Sequence, residues 1–276
     1  MQRDEVAEPL KPDYNVAPTK AVYAVLDRVE APSAGAVNGA VDTRDDEARA
    51  QARDGLTAHA ERELRVVRWG LVPFWAKDVK IGSRMINARA ETVAEKPAFR
   101  RAFAKRRCLL PADGYYEWQS LPDAPKQPMY ITRADGRSLA FAGLYELWRD
   151  PAVDRDDADA WLWTATVITT SAPDELGMIH DRMPMIIDPA RWADWLDPAN
   201  SDVADVRALL SPAAACGLTT FPVSTQVNSV RNNGPQLIEP MDGASVAPLT
   251  GIGAGGHMSA QDRARARGDN GTGVLF

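Results

Sequence analysis

Short runs rich in apolar and β-branched residues predict strands along most of this chain. They fall over Tyr23–Val29, Arg65–Pro73, Cys108–Leu110, Pro128–Thr132, Leu139–Leu147, Trp161–Thr169 and Phe221–Val223. One segment switches to the helical period. In KPAFRRAFAKRR, Lys96–Arg107, the apolar residues Phe99, Ala102 and Phe103 recur at i, i+3 and i+4 behind Pro97, which suits a first turn. Arg100, Arg101 and Lys105 fall away from that apolar face. Further helical segments are expected at Pro173–Ile179 and Pro189–Trp195. Because the strands are short and the helices do not alternate with them, the pattern predicts an α+β fold with a mainly antiparallel sheet and peripheral helices.

The pattern fails in two places. From Glu30 to Ala60 the chain is rich in Ala, Asp, Arg and Gly, and we read 30–62 as a mobile insertion with a transient helix over Asp45–Arg53. Beyond Met241 the stretches GIGAGG and RARGDNGTG predict a disordered tail, 241–276. One domain over 1–240 remains. The tail ends in Val274, Leu275 and Phe276, which would suit a short docking motif for a replication or repair partner, or be an accidental apolar end.

Composition narrows the classes. A chain of 276 residues, 45% hydrophobic and 25% charged, is neither fibrous nor wholly disordered. No apolar run nears the roughly 20 residues that span a bilayer, and no secretory signal follows Met1, so the expected compartment is the cytoplasm. Two cysteines, Cys108 and Cys216, are too few for a cysteine zinc cage or a disulfide framework, and no metal or other cofactor is expected. The signatures of P-loop, Rossmann, serine-hydrolase and zincin chemistry are missing. The net charge of −6 excludes a uniformly basic coat. Yet Arg65–Arg107 holds twelve Lys and Arg against three acids, a local +9, whereas 30–62 is a local −3. Such a zone is the footprint of an anionic partner or else a solvated helix face.

Some residues could carry chemistry. His59 sits in the insertion and His257 in the tail. His180, in GMIHDRMP, precedes the apolar run MPMII, where it would be a structural hydrogen-bonder or a near-neutral proton carrier. Glu117, in ADGYYEWQ, follows a turn and is ringed by aromatics. Alternation puts it with Tyr115 on one face, and Tyr116 with Trp118 on the other. It would be an acid–base carboxyl with a raised pKa or one half of a cross-strand ion pair. Asn87 and Arg89, two apart in MINARAET, should face the same way and could hold a phosphate. Asn15 is a turn residue by default. Trp69, Phe74 and Trp75 lie beside the basic zone and would serve either base stacking or a core.

Taken together, YNVAPT, WGLVPFWAK, MINARAET, CLLPADGYYEW, IHDRMP and VNSVRNNG resemble, in order, the motifs of the SOS response-associated peptidase (SRAP) family of abasic-site processing proteins. The resemblance covers roughly Tyr14 to Pro240. It implies one compact domain with a barrel-like β core, a monomer that binds single-stranded DNA containing abasic sites. It also implies a covalent thiazolidine crosslink made by a cysteine at position 2, after autocatalytic loss of the initiator Met. In that setting Glu117 would handle protons during Schiff-base formation and ring closure, His180 would assist sugar opening and crosslink reversal, and Asn15 would orient the terminal cysteine. Asn87 and Arg89 would grip the DNA backbone, with Thr169 and Arg182 as further lesion-side contacts. Trp75 and Trp118 would stack on bases or wedge them apart. Arg231 would reach a phosphate, and Arg100, Arg101 and Lys105 would add the basic surface.

One position departs from the family pattern. Gln2 stands where the family has its cysteine, and the MCGRY-like opening is absent. Cys108 is expected to be a buried structural thiol and Cys216 to sit near a loop. Two expectations stay open: a start further upstream that restores the nucleophile, or a non-catalytic single-stranded DNA-binding module.

Overall fold

The computed structural model describes residues 3–4, 9–29, 60–154, 157, 160–211, 217–244 and 246–249. The expected transient helix, His59, Cys216, His257 and the chain end from 250 lie outside the described residues, as does the insertion up to residue 59.

Five strands close a barrel. They are β2 (Ala21–Val29), β3 (Ala60–Trp69), β5 (Arg107–Ala112), β8 (Leu139–Arg149) and β9 (Trp161–Ser171). The ring runs β3–β2–β5–β8–β9 through antiparallel pairs, and a parallel contact of Arg68 and Trp69 with Thr164 and Ala165 shuts it. Alternate residues of every barrel strand enter one core: Ala24 and Leu26, Val67 and Trp69, Cys108 and Leu110, Phe141 and Tyr145, Ala165 and Val167. Small residues make so narrow a ring possible. A Cβ on Gly143 would lie 2.8 Å from Cys108 Sγ, so that position takes only glycine without a shift of its neighbours. Burying a large apolar side chain of this kind stabilises the fold by roughly 1.5–3 kcal/mol.

Shorter strands flank the ring: β1 (Arg3–Asp4) pairs with β3, while β4 (Asn87–Arg89) and β10 (Arg182–Pro184) pair with β9. A second, antiparallel sheet has the order β12 (Ala247–Pro248), β11 (Leu218–Pro222), β7 (Ala124–Arg133), β6 (Gly114–Leu121). Tyr115 and Ile131 join this sheet to the barrel core. The outer wall of the barrel is covered by α1 (Arg100–Lys105) and α3 (Trp192–Leu196), with α2 (Asp174–Gly177) before β10 and α4 (Val203–Ala208) after α3.

The expected fold class holds: a mainly antiparallel, barrel-like β core with few helices. Most element boundaries shift by a few residues, and four of the differences have a plain cause. Strand β3 begins at Ala60, because its first residues pair with Asp27, Arg28 and Val29, so the last part of the expected insertion is strand. It ends at Trp69 because Gly70 turns the chain at φ +122°. Helix α1 stops at Lys105, since the Arg107 side chain and backbone are taken up by the barrel. The described chain beyond Met241 is not disordered: β12 pairs with β11 and Leu249 N–H donates to Leu218 O, so packed chain continues to Leu249.

Candidate functional site

Glu117 sits where the second sheet meets the barrel. Alternation along β6 sends Tyr115 into the barrel core, edge-on to Phe141 at 5.9 Å, and Tyr116 to the opposite face against Tyr130. Glu117 shares the Tyr115 face and is 3% exposed. Its Oε1 is buried and has no hydrogen-bond partner. Its Oε2 lies 4.0 Å from His180 Nδ1. Burial pushes the carboxyl up to about 8, and the negative charge of Asp181 adds to the rise, while Lys126 and the Trp118 backbone N–H oppose it. Among the described residues the ionisable side chain within ion-pair distance of this carboxyl is His180, while Lys126 acts on it from further off.

His180 is delivered by a tight turn. Leu176 and Ile179 are anchored in the core, and the His180 N–H donates to Leu176 O. Its Nδ1 lies 3.1 Å from Arg182 N and 3.2 Å from Arg182 O, so it faces one backbone donor and one acceptor. Either protonation state of Nδ1 is thus satisfied, which suits a proton carrier. Asp181 Oδ1 is 3.5 Å away.

The neighbouring residues form a continuous strip. Arg182 forks onto Glu91 at 2.7 and 3.0 Å and donates to Thr169 O at 2.6 Å. That fork holds the Glu91 carboxyl below its usual range. Thr169 pairs in register with Arg89, and Asn87 with Val167. Ala88 between them is buried, so Asn87 and Arg89 do share the opposite face, as expected. Asn87 Oδ1 is buried without a hydrogen-bond partner.

Asn15 belongs to a second group. It is fully buried, and its Nδ2 donates to Val227 O, Ser229 O and Asn232 O, at 3.1, 3.1 and 3.3 Å. These bonds tie it to that loop rather than to Glu117 or His180, and its Oδ1 has no hydrogen-bond partner among the described residues. Arg231 is exposed on the same loop. Trp118, half-buried, donates Nε1 to Asn228 Oδ1 at 2.7 Å. The third group is basic. Arg100, Arg101 and Lys105 are exposed on α1, while Ala102 and Phe103 are buried beneath them. Trp75 and Phe74 are about half exposed, with Arg101 4.5 Å over the Phe74 ring.

The basic zone is smaller than its sequence count. Arg107 is 3% exposed and gives its five donors to the carbonyls of Phe103, Ala104, Trp195, Asp197 and Asn200. Arg106 is paired with buried Glu146, and Arg65 with Glu63. Trp69 is core, donating Nε1 to Ile86 O. Sequence reasoning passed over Glu91 and Asn228, although each sits inside a motif already singled out, and took Asp181 only as part of the turn after His180. A cavity of about 690 Å³ lies apart, lined by Leu10, Val22, Tyr23, Leu110 and Tyr130, and no candidate residue lines it. Among the described residues, no cluster of three or more His, Cys, Asp or Glu could hold a metal, and no helix is long and apolar enough to cross a membrane.

Glu117 and His180 thus form one candidate group, and the exposed Arg100, Arg101 and Lys105 with Phe74 and Trp75 form another. The sequence matches the family described as SOS response associated peptidase (SRAP) over residues 1–230, and the chain belongs to that family. It is 45% identical over 180 residues to the abasic site processing protein YoqW of Bacillus subtilis, covering 65% of this chain and 78% of that one. It is 38% identical over 229 residues to YoaM of the same organism, covering 83% and 85%. The abasic site processing protein HMCES of Gallus gallus is 33% identical over 206 residues, covering 66% of this chain and 59% of that one. A crystal structure of a protein from Bacteroides thetaiotaomicron superposes with a TM-score of 0.56 at 31% identity, covering 64% and 77%.

Proposed function

We propose that this protein processes abasic sites in single-stranded DNA, with Glu117 and His180 moving protons at the opened sugar. The observation that carries the reading is the buried Glu117 carboxyl, unpaired at Oε1 and 4.0 Å from His180 Nδ1. An opened abasic sugar is an aldehyde. An amine adds to it to give a carbinolamine, which must lose water to become an imine, and that loss needs a proton donor. A carboxyl that stays protonated at neutral pH supplies the proton. His180, satisfied in either state, passes protons on. Asn87, Arg89 and Arg231 contact the strand, with Trp75 and Trp118 as stacking groups and Arg100, Arg101 and Lys105 as phosphate contacts. Thr169, expected as a contact, is 4% exposed and bonded to Arg182, so it acts only through that strip. Arg182 acts through its fork to Glu91, which orients the strip.

The covalent step needs an amine and a thiol on adjacent carbons. The thiol adds to the imine carbon, its proton passes to the nitrogen, and a thiazolidine ring closes. Cys108 cannot do this: it has no free amine, it is fully buried, and burial pushes its thiol well up. A chain opening Met-Gln lacks the pair of groups, so it should give no heat-stable adduct. A version opening Met-Cys should remove its Met and give one. We place both forms in the cytoplasm as monomers.

The test runs both versions on a denaturing gel with abasic single-stranded DNA, beside fluorescence anisotropy at rising salt. Binding should weaken steeply with salt, and Arg100→Glu with Arg101→Glu and Lys105→Glu should weaken it for any sequence. An adduct from the Met-Gln chain overturns the thiazolidine chemistry. Binding by both versions with no adduct from either leaves a DNA-binding module.

A further inference from the structure

We propose that Phe74, with Arg101 laid over its ring, is a seat for an unpaired nucleobase of the bound strand, outside the Glu117–His180 site. This rests on the single-stranded DNA reading and extends it to a base-bearing nucleotide rather than the lesion.

The loop that carries Phe74 is fastened at every point but its tip. A Cβ on Gly70 would lie 2.6 Å from Gly82 O, and one on Gly82 would lie 2.6 Å from Gly70 O, so two bare backbones lock together at the loop's base. Leu71 N–H donates to Met85 O, Val72 N–H to Thr164 Oγ1, and Trp148 Nε1 to Ala76 O. Leu71, Val72 and Ala76 are buried. Phe74, at 52%, and Trp75, at 50%, are the large apolar residues this loop leaves in solvent, beside exposed Lys77 and Asp78. Scattered apolar exposure is ordinary on a protein surface. Two adjacent aromatics on a fastened loop beside three exposed cations are a different case, because rigid rings lose little freedom when a base stacks on them.

Arg101 completes the seat. It projects from α1, whose Ala102 and Phe103 are fixed in the core, and its guanidinium sits 4.5 Å from the Phe74 centroid. Behind it Glu146, 2% exposed and paired with Arg106, adds a fixed negative charge that also acts on Arg101. The Phe74 ring thus carries a cation over it. The ring's exposed remainder is available to a base. Arg100 and Lys105, exposed on the same helix, supply the charge that its phosphates need.

The experiment uses the full chain and three labelled single strands in fluorescence anisotropy. The first has one central tetrahydrofuran abasic analogue among ordinary nucleotides. The second carries tetrahydrofuran at every position around the centre, so it is backbone without bases. The third is unmodified. Phe74→Ala should weaken binding of the first and third by about 5- to 100-fold, as for a lost base–aromatic stack. It should change binding of the second by less than about twofold. Phe74→Trp should retain binding, and Arg101→Lys, which keeps the charge and loses the plane, should weaken the base-bearing strands more than the bare one. Equal effects of Phe74→Ala on all three strands, or none, overturn the seat. If the parent binds the first and third strands equally while Phe74→Ala still discriminates bases from bare backbone, the lesion reading fails and the seat stands. If the parent binds no strand, both fall.

Discussion

Glu117 at the sheet–barrel junction and Glu146 under α1 are almost equally buried, at 3% and 2% exposure, and burial raises the carboxyl of each. Their partners separate them. Glu146 is paired with Arg106 and accepts from the Leu147 N–H. Among the described residues Glu117 has no arginine or lysine paired with it, its Oε1 is bare, and a second carboxylate, Asp181, adds to its rise. Burial is common to both carboxyls; what separates them is the arginine paired with one and not with the other. The arginines give the same contrast. Arg107 gives every donor to backbone carbonyls, whereas Arg101, six residues earlier, lies in solvent over an aromatic ring.

The sharpest break in the comparison is chemical. In a version opening Met-Cys, Glu117→Gln keeps the shape and removes the proton. It should slow adduct formation by about 10²–10⁴-fold with folding intact, as read on a denaturing gel time course. Glu146→Gln should leave that rate at the parental value. Equal rates for the two variants would erase the distinction.

The next effect is on stability. Arg107→Met leaves five carbonyls without their donor and should cost about 3 kcal/mol or more in denaturant unfolding. Any protein that remains folded should bind DNA as the parent does, because Arg107 presents no charge to solvent.

The raised Glu117 carboxyl also makes stability depend on pH. Glu117 has a folded value of about 8, above its unfolded one. Between the unfolded value of about 4.3 and 8 the unfolded chain has lost the proton that the folded chain keeps. The unfolded state thus gains with rising pH, and the parent loses stability across that window. Glu117→Gln removes the loss, so its stability relative to the parent should rise from pH 5 to 8 by on the order of a few kcal/mol. A flat difference across that range would place the Glu117 carboxyl at an ordinary value. Smallest of all, Glu146→Gln should cost about 1–3 kcal/mol, since Arg106 loses a charged partner but keeps partial access to water.

The barrel strands were largely legible in the sequence, because each is a run whose alternate residues fill one core. Glu117 and His180 were legible through motif order and, for Glu117, through the aromatic ring around it. What stayed hidden is pairing across the chain. A count of twelve cations in Arg65–Arg107 cannot show that Arg107 is consumed by carbonyls some ninety positions away, or that Arg106 answers Glu146. Trp69, Phe74 and Trp75 look alike in sequence, and only the turn at Gly70 separates the core indole from the two exposed rings. Arg182 resembled a DNA contact until its fork to Glu91, ninety-one residues away, became visible. Asn15 looked like a turn residue, yet it holds the loop of the last motif.

The central claim is that Glu117 carries a proton at neutral pH, and infrared difference spectroscopy reads it directly. Spectra of the full chain would be recorded from pH 5 to 10, with Glu117→Gln as the reference. The account predicts a protonated-carboxyl band present in the parent and absent from the variant, lost with a midpoint of about 8. A band already lost by pH 6, or a parent spectrum that matches the variant throughout, would contradict it.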